Sequence, residues 1–290
     1  MDLCNINYIK KILSANGFSF SKALGQNFII DPEICPEMAK LSGVDKNTLV
    51  IEIGTGVGVL TKELCIRAGK VIAIELDKRL LPVLDETLGE YNNLQIINDD
   101  VMKVDLKDLI EKNIEHYSSV RICANLPYYI TSPIIMMLLE QNLPINSITV
   151  MVQKEAGDRL CAEVGSRESG AVTVSVNYYA VAEKLFDVAR DCFMPAPNVD
   201  SEVINLTIRK EPPVRVVDED FFFEFIKGAF SQRRKTLVNS ISAAFKCDKS
   251  LITDALNELK ISPTIRAEKL TMWQIGNLTN ILYNDLKPQM

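Results

Sequence analysis

Four runs of apolar, mostly β-branched residues recur in the first half of the chain, and stretches with helical periodicity separate them. The runs read TLVIEIG (48–54), KVIAIEL (70–76), LQIINDD (94–100) and VRICANL (120–126). Between them lie segments such as VLTKELCIRAG, in which apolar residues recur every three or four positions. Strands that alternate with helices in this way form βα units around a parallel sheet. The pattern therefore predicts a doubly wound, mostly parallel α/β fold.

Three more apolar runs follow, and two of them frame a proline-rich loop. SITVMVQ (147–153) is predicted to be a fifth strand. VAEKLFDVA (181–189) and SEVINLTIR (201–209) are separated by FMPAPNVD, which is typical of a loop between strands. We expect this pair as an antiparallel addition at one edge of the sheet.

The pattern changes after residue 209. KEPPVRV has the composition of a linker, and from Asp220 onward apolar residues recur with helical spacing. We therefore predict a first domain over residues 1–209 and a small all-helical domain over residues 210–290.

Charge is divided unevenly between these two parts. The whole chain carries −6, and Arg209 to Met290 holds 13 Lys and Arg against 10 Asp and Glu, or +3, which leaves −9 for residues 1–208. In the basic part, Arg233 falls near one helical face with apolar residues such as Phe222 and Leu237, whereas Arg234 and Lys235 point elsewhere. An arginine on such a face either extends its guanidinium out to solvent or binds phosphate. We assign Arg233, Arg234 and Lys235 to RNA binding.

Cysteine and histidine usage narrows the possible chemistry. The seven cysteines are at least 30 positions apart, and the one histidine, His116, lies in a polar stretch. Neither a zinc knuckle nor a Ser-His-Asp triad fits this inventory, so no metal is expected. No apolar run approaches a membrane span, and the amino terminus lacks the pattern of a secretory signal. We expect a cytoplasmic protein with reduced thiols and no membrane partner.

A glycine-rich turn follows the first of the four strands. In IEIGTGVGVLTKEL a strand is followed by Gly54, Gly56 and Gly58 and then by a helix, an arrangement that brings backbone close to a ligand. Glu75 ends the next predicted strand, where a carboxylate can accept hydrogen bonds from ribose hydroxyls, and Asp100 ends the third, where it can accept one from an adenine amino group. The loop reads GxGxG, so it fails the dinucleotide pattern GxGxxG and resembles that of the S-adenosylmethionine-dependent methyltransferases.

The fourth strand ends in ANLPYYIT (124–131), which by itself reads as a strand-end turn. At this edge of the sheet it also suits a planar substrate with an exocyclic amine. The Asn125 side-chain oxygen and the Leu126 carbonyl can accept its N–H bonds, Pro127 holds the direction of that carbonyl, and Tyr128 offers a stacking face. Phe193 of the proline-rich loop is predicted to supply the second face. Tyr129 has no assigned role, and core packing is the use we expect for it.

Several segments together resemble one family, the ribosomal RNA adenine N6,N6-dimethyltransferases. They cover nearly the whole chain in order: LGQNFIID (24–31), IEIGTGVGVLT (51–61), VIAIELD (71–77), NDDVMKVDL (98–106), ANLPYYITSPI (124–134), FMPAPNVDS (193–201), FSQRRKTLVN (230–239) and ISPTIRAEKL (261–270). The resemblance implies methyl transfer from S-adenosylmethionine to N6 of two adjacent adenosines near the 3′ end of 16S small-subunit rRNA. It further implies a role in small-subunit biogenesis, with a monomeric enzyme acting on an immature 30S particle.

The resemblance also implies site residues. It assigns cofactor contacts to Asn27, Ile29, Gly54, Glu75, Asp100 and Asn125, and it places the target adenine between Tyr128 and Phe193. Asn27 and Ile29 rest on the resemblance alone. The chain departs from the family pattern at Thr55, where Pro is usual, and at Ile29, where Leu is frequent.

Two other functions remain open at this point. Macrolide-resistance methyltransferases, which modify large-subunit rRNA, share the QNF, glycine-loop and Asn-x-Pro-Tyr segments, and methylation of DNA adenine is a related possibility. A non-catalytic RNA-binding assembly factor on the same fold is the alternative from another class. The FSQRRKTL and RAEKL segments favour the small-subunit enzyme.

Overall fold

The computed structural model describes residues 2–18 and 25–287. Leu24, the first residue of the LGQNFIID segment, lies outside these ranges. So do residue 1 of the first predicted domain and residues 288–290 of the second. The chain divides into two compact units: Met1–Gly157 with Ala182–Ile208, and Asp158–Val181 with Arg209–Met290. The sequence had assigned residues 158–181 to the first domain. They join the second unit because a helix within them buries Val174 and Tyr178 in its core.

The first unit contains a seven-stranded sheet. Its strands are β2 (Thr48–Ile53), β3 (Lys70–Ile74), β4 (Leu94–Ile97), β5 (Ser119–Asn125), β6 (Ser147–Gln153), β7 (Ala180–Val188) and β9 (Ser201–Ile208), in the order β4-β3-β2-β5-β6-β9-β7. Neighbours from β4 to β6 are parallel, and β9 runs antiparallel to β6. The predicted mostly parallel α/β sheet is confirmed, with β9 and β7 added at one edge.

A separate pair of two-residue strands lies outside this sheet. β1 (Phe28–Ile29) runs antiparallel to β8 (Phe193–Met194), with Ile29 opposite Phe193. The sequence had predicted the second of these segments as part of a loop. The pairing fixes the amino-terminal segment 25–30 to a chain region far away in sequence.

Helices connect and cover the strands. Those of the first half are α1 (Ile6–Ala15), α2 (Ile34–Leu41), α3 (Val59–Arg67), α4 (Leu81–Leu88), α5 (Leu106–Glu111), α6 (Thr131–Glu140) and α7 (Lys154–Leu160). All six residues of β2 are buried, which explains why this strand is mostly apolar rather than alternating between apolar and polar residues.

β4 ends three residues earlier than the sequence predicted. It stops at Ile97, and the next side chain, Asn98, donates from Nδ2 to the Glu75 carbonyl at 2.7 Å. A side chain thus takes over hydrogen bonding from the strand backbone at the sheet edge. Asp100 consequently lies in the following turn and not at the strand end.

The second unit has a helical core rich in phenylalanine. It contains α8 (Ala171–Tyr179), α9 (Glu219–Ala229), α10 (Leu237–Phe245), α11 (Lys249–Glu258) and α12 (Met272–Leu286). Phe221, Phe222 and Phe225 are completely buried or nearly so. None of the helices in the described ranges is both long enough and apolar enough to cross a membrane.

The predicted helical face that included Arg233 does not form. α9 ends at Ala229, and Thr236 caps the start of α10 by accepting a hydrogen bond from the Asn239 N–H. Arg233, Arg234 and Lys235 are exposed in the turn between the two helices. The apolar spacing suggested one continuous helix, but α9 ends at Ala229 and a new helix begins at the Thr236 cap.

An ionisable group lies inside the sheet core. Glu52 in β2 is 0% exposed, and burial raises its pKa to about 8, with the charge of Glu75 adding to the rise. The carboxyl is therefore protonated in the folded protein at pH values where it is ionised in the unfolded chain.

We expect the Glu52→Gln variant to differ from the wild-type protein in the pH dependence of its stability. Between the ordinary pKa of 4.5 and about 8, the unfolded chain loses this proton while the folded chain keeps it. The wild-type free energy of unfolding therefore falls through that window, and Gln cannot titrate. Relative to the variant, the wild type should lose about 3 kcal/mol between roughly pH 5 and pH 8. Urea unfolding at both pH values tests this, and parallel pH profiles would contradict it.

Candidate active site

The predicted cofactor residues meet at one edge of the sheet. Gly54 follows β2, Glu75 follows β3 and Asn125 ends β5, and these three strands are parallel neighbours. Segment 25–30 also borders the pocket that forms there. All the predicted cofactor residues line this pocket: Asn27, Ile29, Gly54, Gly56, Glu75, Asp100 and Asn125. So do Leu126, Pro127 and Tyr128, whereas Phe193 does not.

The glycine loop needs glycine for its backbone conformation. Gly54 has a φ of +77° and Gly56 a φ of +56°, in the region that other residues rarely adopt. A Cβ on Gly54 would meet no atom within 4 Å, so its exposed face opens towards free space, while one on Gly56 would lie 3.2 Å from Phe28 Cδ1. The loop can therefore present its backbone directly to a ligand.

Glu75 is held in place by the glycine loop. Its Oε2 accepts hydrogen bonds from the Thr55 N–H at 2.9 Å, the Thr55 hydroxyl at 2.8 Å and the Gly56 N–H at 3.3 Å. Its Oε1 accepts one from the Asp77 N–H at 2.8 Å. A carboxylate has about four lone-pair positions, two on each oxygen. Within the described chain, Oε1 therefore keeps room to accept a ligand hydroxyl.

Asp77 ties segment 25–30 to Glu75. Its carboxylate accepts from Gln26 Nε2 at 2.8 Å and from Arg79, whose Nη2 lies 2.6 Å from Oδ2. The hydrogen bond from Arg79 lowers the pKa of Asp77, and that from Gln26 adds to the effect. The carboxylate thus stays ionised, and one residue links the pocket wall at Gln26 with the acidic group at Glu75.

The Asn-Leu-Pro-Tyr turn is fixed on both sides. Asn125 Nδ2 makes a long contact of 3.5 Å with the Asn27 carbonyl, which leaves Oδ1 as the acceptor of that side chain. The Leu126 N–H donates to the Met151 carbonyl of β6 at 3.2 Å. Pro127 has φ −58° and ψ 130°, and a short 3₁₀ turn begins immediately after it. The turn therefore sets the direction of its acceptors before a substrate arrives.

Tyr128 is anchored through its hydroxyl. Its Oη lies 2.6 Å from Oγ of Ser201, which is completely buried at the start of β9. Burial raises the pKa of Tyr128, although the Ser201 hydrogen bond opposes this. The phenol is neutral at physiological pH, and its ring lines the pocket in a fixed position.

Phe193 lies elsewhere than the sequence analysis expected. Its side chain is 3% exposed and belongs to the hydrophobic core of the first unit, with its backbone paired to Ile29. The strand pairing places the ring in the core instead of the pocket. The two aromatic residues that line the pocket at the turn are Tyr128 and Tyr129, and Tyr129 is 59% exposed rather than packed in the core.

Four residues that line the pocket or support its walls escaped sequence reasoning. Gln26 and Thr55 line the pocket, whereas Asp77 and Ser201 hold residues that do. All four make hydrogen bonds to partners distant in sequence, so their roles become visible only in three dimensions. Each lies within or beside a segment that carried the family resemblance. That proximity was the only signal available from the sequence.

The described pocket fits S-adenosylmethionine. Glu75, with free acceptor capacity at Oε1, suits a ribose, and Asp100 lies at the same pocket beside Val101, which is buried. An apolar side chain next to a carboxylate suits an adenine ring with its amino group. The pocket continues to Asn125 and Tyr128, so it extends beyond what the adenosine portion requires.

Comparison with known proteins gives a consistent result. The profile of the family described as ribosomal RNA adenine dimethylase matches residues 17–284. The chain is 45% identical over 276 residues to the ribosomal RNA small subunit methyltransferase A of Oceanobacillus iheyensis, covering 94% of each chain. It is 44% identical over 284 residues to the protein of the same name from Bacillus mycoides, covering 97% of each.

Solved structures share the fold. A dimethyladenosine transferase from Plasmodium falciparum superposes with a TM-score of 0.72 at 24% identity, covering 89% of this chain and 96% of the other. The 23S rRNA methyltransferase ErmE gives a TM-score of 0.67 at 24% identity, covering 88% and 99%. At this level of identity the likeness supports the fold alone.

Proposed function

The chain belongs to the ribosomal RNA adenine dimethylase family, and on that premise we propose how its pocket carries out the reaction. The protein is an S-adenosylmethionine-dependent enzyme that dimethylates N6 of adenine in 16S small-subunit rRNA. We assign to it the two adjacent adenosines near the 3′ end. The observation that carries the assignment of residues is the position of the Asn125–Tyr128 turn, at the same sheet edge as Glu75 and the glycine loop.

The cofactor is assigned to the inner part of the pocket. Glu75 and Asp100 would hold its ribose and adenine, while Asn27, Ile29 and Gly54 would border it. When bound, S-adenosylmethionine supplies an electrophilic methyl group on a sulfonium. Because Asp77 and Thr55 fix the Glu75 carboxylate, its acceptors are already aimed and need no reorganisation on binding.

The amine of the target adenine is assigned to the Asn-Leu-Pro-Tyr turn. Its nitrogen is a weak nucleophile because the lone pair is delocalised into the ring. Asn125 Oδ1 and the Leu126 carbonyl would accept its two N–H bonds and turn the lone pair towards the methyl group. As the N–C bond forms, the bond between the methyl group and the sulfonium sulfur would break and leave its electron pair on sulfur. The same two acceptors would stabilise the positive charge that develops on nitrogen. The proton then leaves to solvent.

The target base must leave its stack to reach Asn125. Tyr128 would hold the extruded adenine by stacking, and the Ser201 hydrogen bond limits the rotation of its ring. Phe193 pairs with Ile29 of β1, which lines the pocket, but its own side chain is buried. Its predicted stacking on the adenine therefore requires that this side chain move into the pocket.

Two alternatives are less well supported. Large-subunit methylation is the activity named for ErmE, to which the likeness supports the fold alone, whereas the relatives at 44–45% identity are named small-subunit methyltransferases. A non-catalytic assembly factor has no need for the hydrogen bonds that orient Glu75 and Asn125. We propose that the enzyme acts as a monomer on an immature 30S particle in the cytoplasm.

Mass mapping of methylated RNA tests the proposed function. Purified enzyme, S-adenosylmethionine and small subunits from a deletion strain should yield two adjacent N6,N6-dimethyladenosines in the 3′ fragment of 16S rRNA. Primer extension on both rRNAs from the deletion strain and its complemented partner gives an independent reading. Modification restored only in the large subunit would overturn the assignment.

Arg233, Arg234 and Lys235 are expected to bind RNA phosphate. All three side chains are exposed in the turn between α9 and α10. They can therefore contact RNA phosphates without burying a face of either helix. Replacing all three by Gln should weaken binding of small subunits and lower the slope of log K against log [salt] by about 2. Filter binding over a range of salt concentrations measures both.

The matched control removes the same charge from the first unit. Lys10, Lys11 and Lys107 are exposed on helices α1 and α5, and their triple Gln variant changes net charge equally. Equal salt slopes for the two triple variants would show that only net charge matters, and would contradict a phosphate-binding role for the turn.

A further inference from the structure

Tyr129 is an aromatic residue for which core packing gives no explanation. It lines the pocket beside Tyr128, yet 59% of it is exposed. Both residues lie in the single 3₁₀ turn Tyr128–Ile130, where successive side chains point about 120° apart. Tyr128 is half-buried and tied to Ser201, so Tyr129 is the member of the pair that faces solvent at the pocket mouth.

The Tyr129 ring lies close to Gly25 at the start of segment 25–30. A Cβ built on Gly25 would lie 3.4 Å from Cδ1 and 3.5 Å from Cε1 of the ring. Gly25 itself has a φ of +58°, so the chain bends sharply at this contact. The nearby Gly25 limits the space on one side of the ring, while most of the ring stays accessible. An aromatic side chain whose rotation is already limited loses little conformational entropy when it binds a partner.

A target adenosine that enters the pocket leaves its neighbour at the mouth. The RNA chain is continuous, and the extruded base no longer stacks on the next one. Proteins that bind unpaired RNA commonly replace such a lost stack with an aromatic side chain. Tyr129 is exposed at this pocket mouth and has the ring that such a contact requires.

We propose that Tyr129 is a specificity-determining residue that stacks on the nucleobase adjacent to the adenine in the pocket. The proposal rests on the function assigned above. The two target adenosines are adjacent. When one of them occupies the pocket, the base that stacks on Tyr129 can therefore be the other target adenosine. The ring then retains the second adenosine near the mouth while the first is methylated.

Steady-state kinetics with three variants test this role. For Tyr129→Ala, the KM for unmethylated small subunits should rise roughly tenfold, within the range that base–aromatic stacking supplies, at nearly unchanged kcat and S-adenosylhomocysteine affinity. Tyr129→Phe keeps the ring and should stay within about twofold of wild type, whereas Tyr129→Leu, apolar but without a ring, should resemble Ala. Mass mapping at limiting enzyme should show more RNA with only one adenosine dimethylated for Ala and Leu.

Other outcomes overturn the proposal. A KM unchanged in Tyr129→Ala, or fully restored in Tyr129→Leu, would remove the stacking role. A fall in kcat at constant KM would place the ring on the target adenine, and a comparable loss of S-adenosylhomocysteine affinity would make it a wall of the cofactor site. If the unaltered enzyme methylates no small-subunit adenosine, the proposed function fails first and the role of Tyr129 fails with it.

Discussion

Replacement of Asn125 by Ala is expected to lower the rate of methyl transfer by on the order of 10²–10³-fold, while the cofactor still binds. The side chain lines the pocket with its amide nitrogen directed at the Asn27 carbonyl, so its oxygen is the acceptor available to the adenine amine. Removing this acceptor leaves the amine lone pair in the ring. Incorporation of tritiated methyl groups into small subunits measures the loss under saturating cofactor.

The same variant needs two controls. The affinity for S-adenosylhomocysteine, measured by calorimetry, should change only a few-fold, because Glu75 and Asp100 remain. The unfolding midpoint should also remain near that of the wild type, since Asn125 makes one long side-chain contact. Unchanged methyl incorporation would contradict the role assigned to Asn125.

Glu75→Gln is expected to weaken cofactor binding by roughly 10- to 100-fold, the loss typical of a hydrogen bond to a charged group. Glu75 accepts bonds at both oxygens, from Thr55 and Gly56 on one side and from the Asp77 N–H on the other. Gln has a single acceptor oxygen, so in either orientation its NH₂ group faces a donor. The proposed ribose site would lose one carboxylate oxygen, and the glycine loop would lose part of its support.

Calorimetric titration with S-adenosylhomocysteine measures this effect. Glu86→Gln on α4 removes one negative charge from an exposed position and serves as the matched control, with affinity expected to be unchanged. Saturating cofactor should restore much of the Glu75→Gln rate, because the amine-binding turn is untouched. Affinity equal to wild type would contradict the ribose contact.

The hydrophobic pattern was sufficient to predict the strands. A strand that is buried on both faces of a parallel sheet consists mainly of apolar residues, so it can be recognised in the sequence. β2 and β6 are buried nearly throughout, and both match their predicted runs closely. The glycine loop was predictable for a similar reason, since positive φ at Gly54 and Gly56 restricts the residue type. The carboxyl ends of parallel strands meet at one edge of the sheet, so Glu75 and Asn125 could be placed at the same edge from their positions at predicted strand ends.

The features that the hydrophobic pattern did not predict depend on contacts between residues distant in sequence or on helix capping. β4 is an edge strand whose end depends on the Asn98 side chain, so Asp100 moved into a turn. The continuous helical spacing around Arg233 spans two helices, α9 ending at Ala229 and α10 beginning at the Thr236 cap, which carries a weak sequence signal of its own. Phe193 was buried by pairing with Ile29, a partner that no local pattern identifies. The roles of the site residues stay predictions until the variants above are measured.

The pairing of β1 with β8 has a consequence for the order in which the enzyme becomes competent during its own synthesis. Segment 25–30 is made early, but its partner strand and the Ser201 hydroxyl that holds Tyr128 are translated much later. Since chains emerge from the ribosome amino terminus first, the β1 pairing and the anchor of Tyr128 stay incomplete until β9 has left the exit tunnel. A nascent chain therefore cannot hold the complete site until β9 has emerged, even though it is attached to a ribosome whose small subunit carries the target RNA.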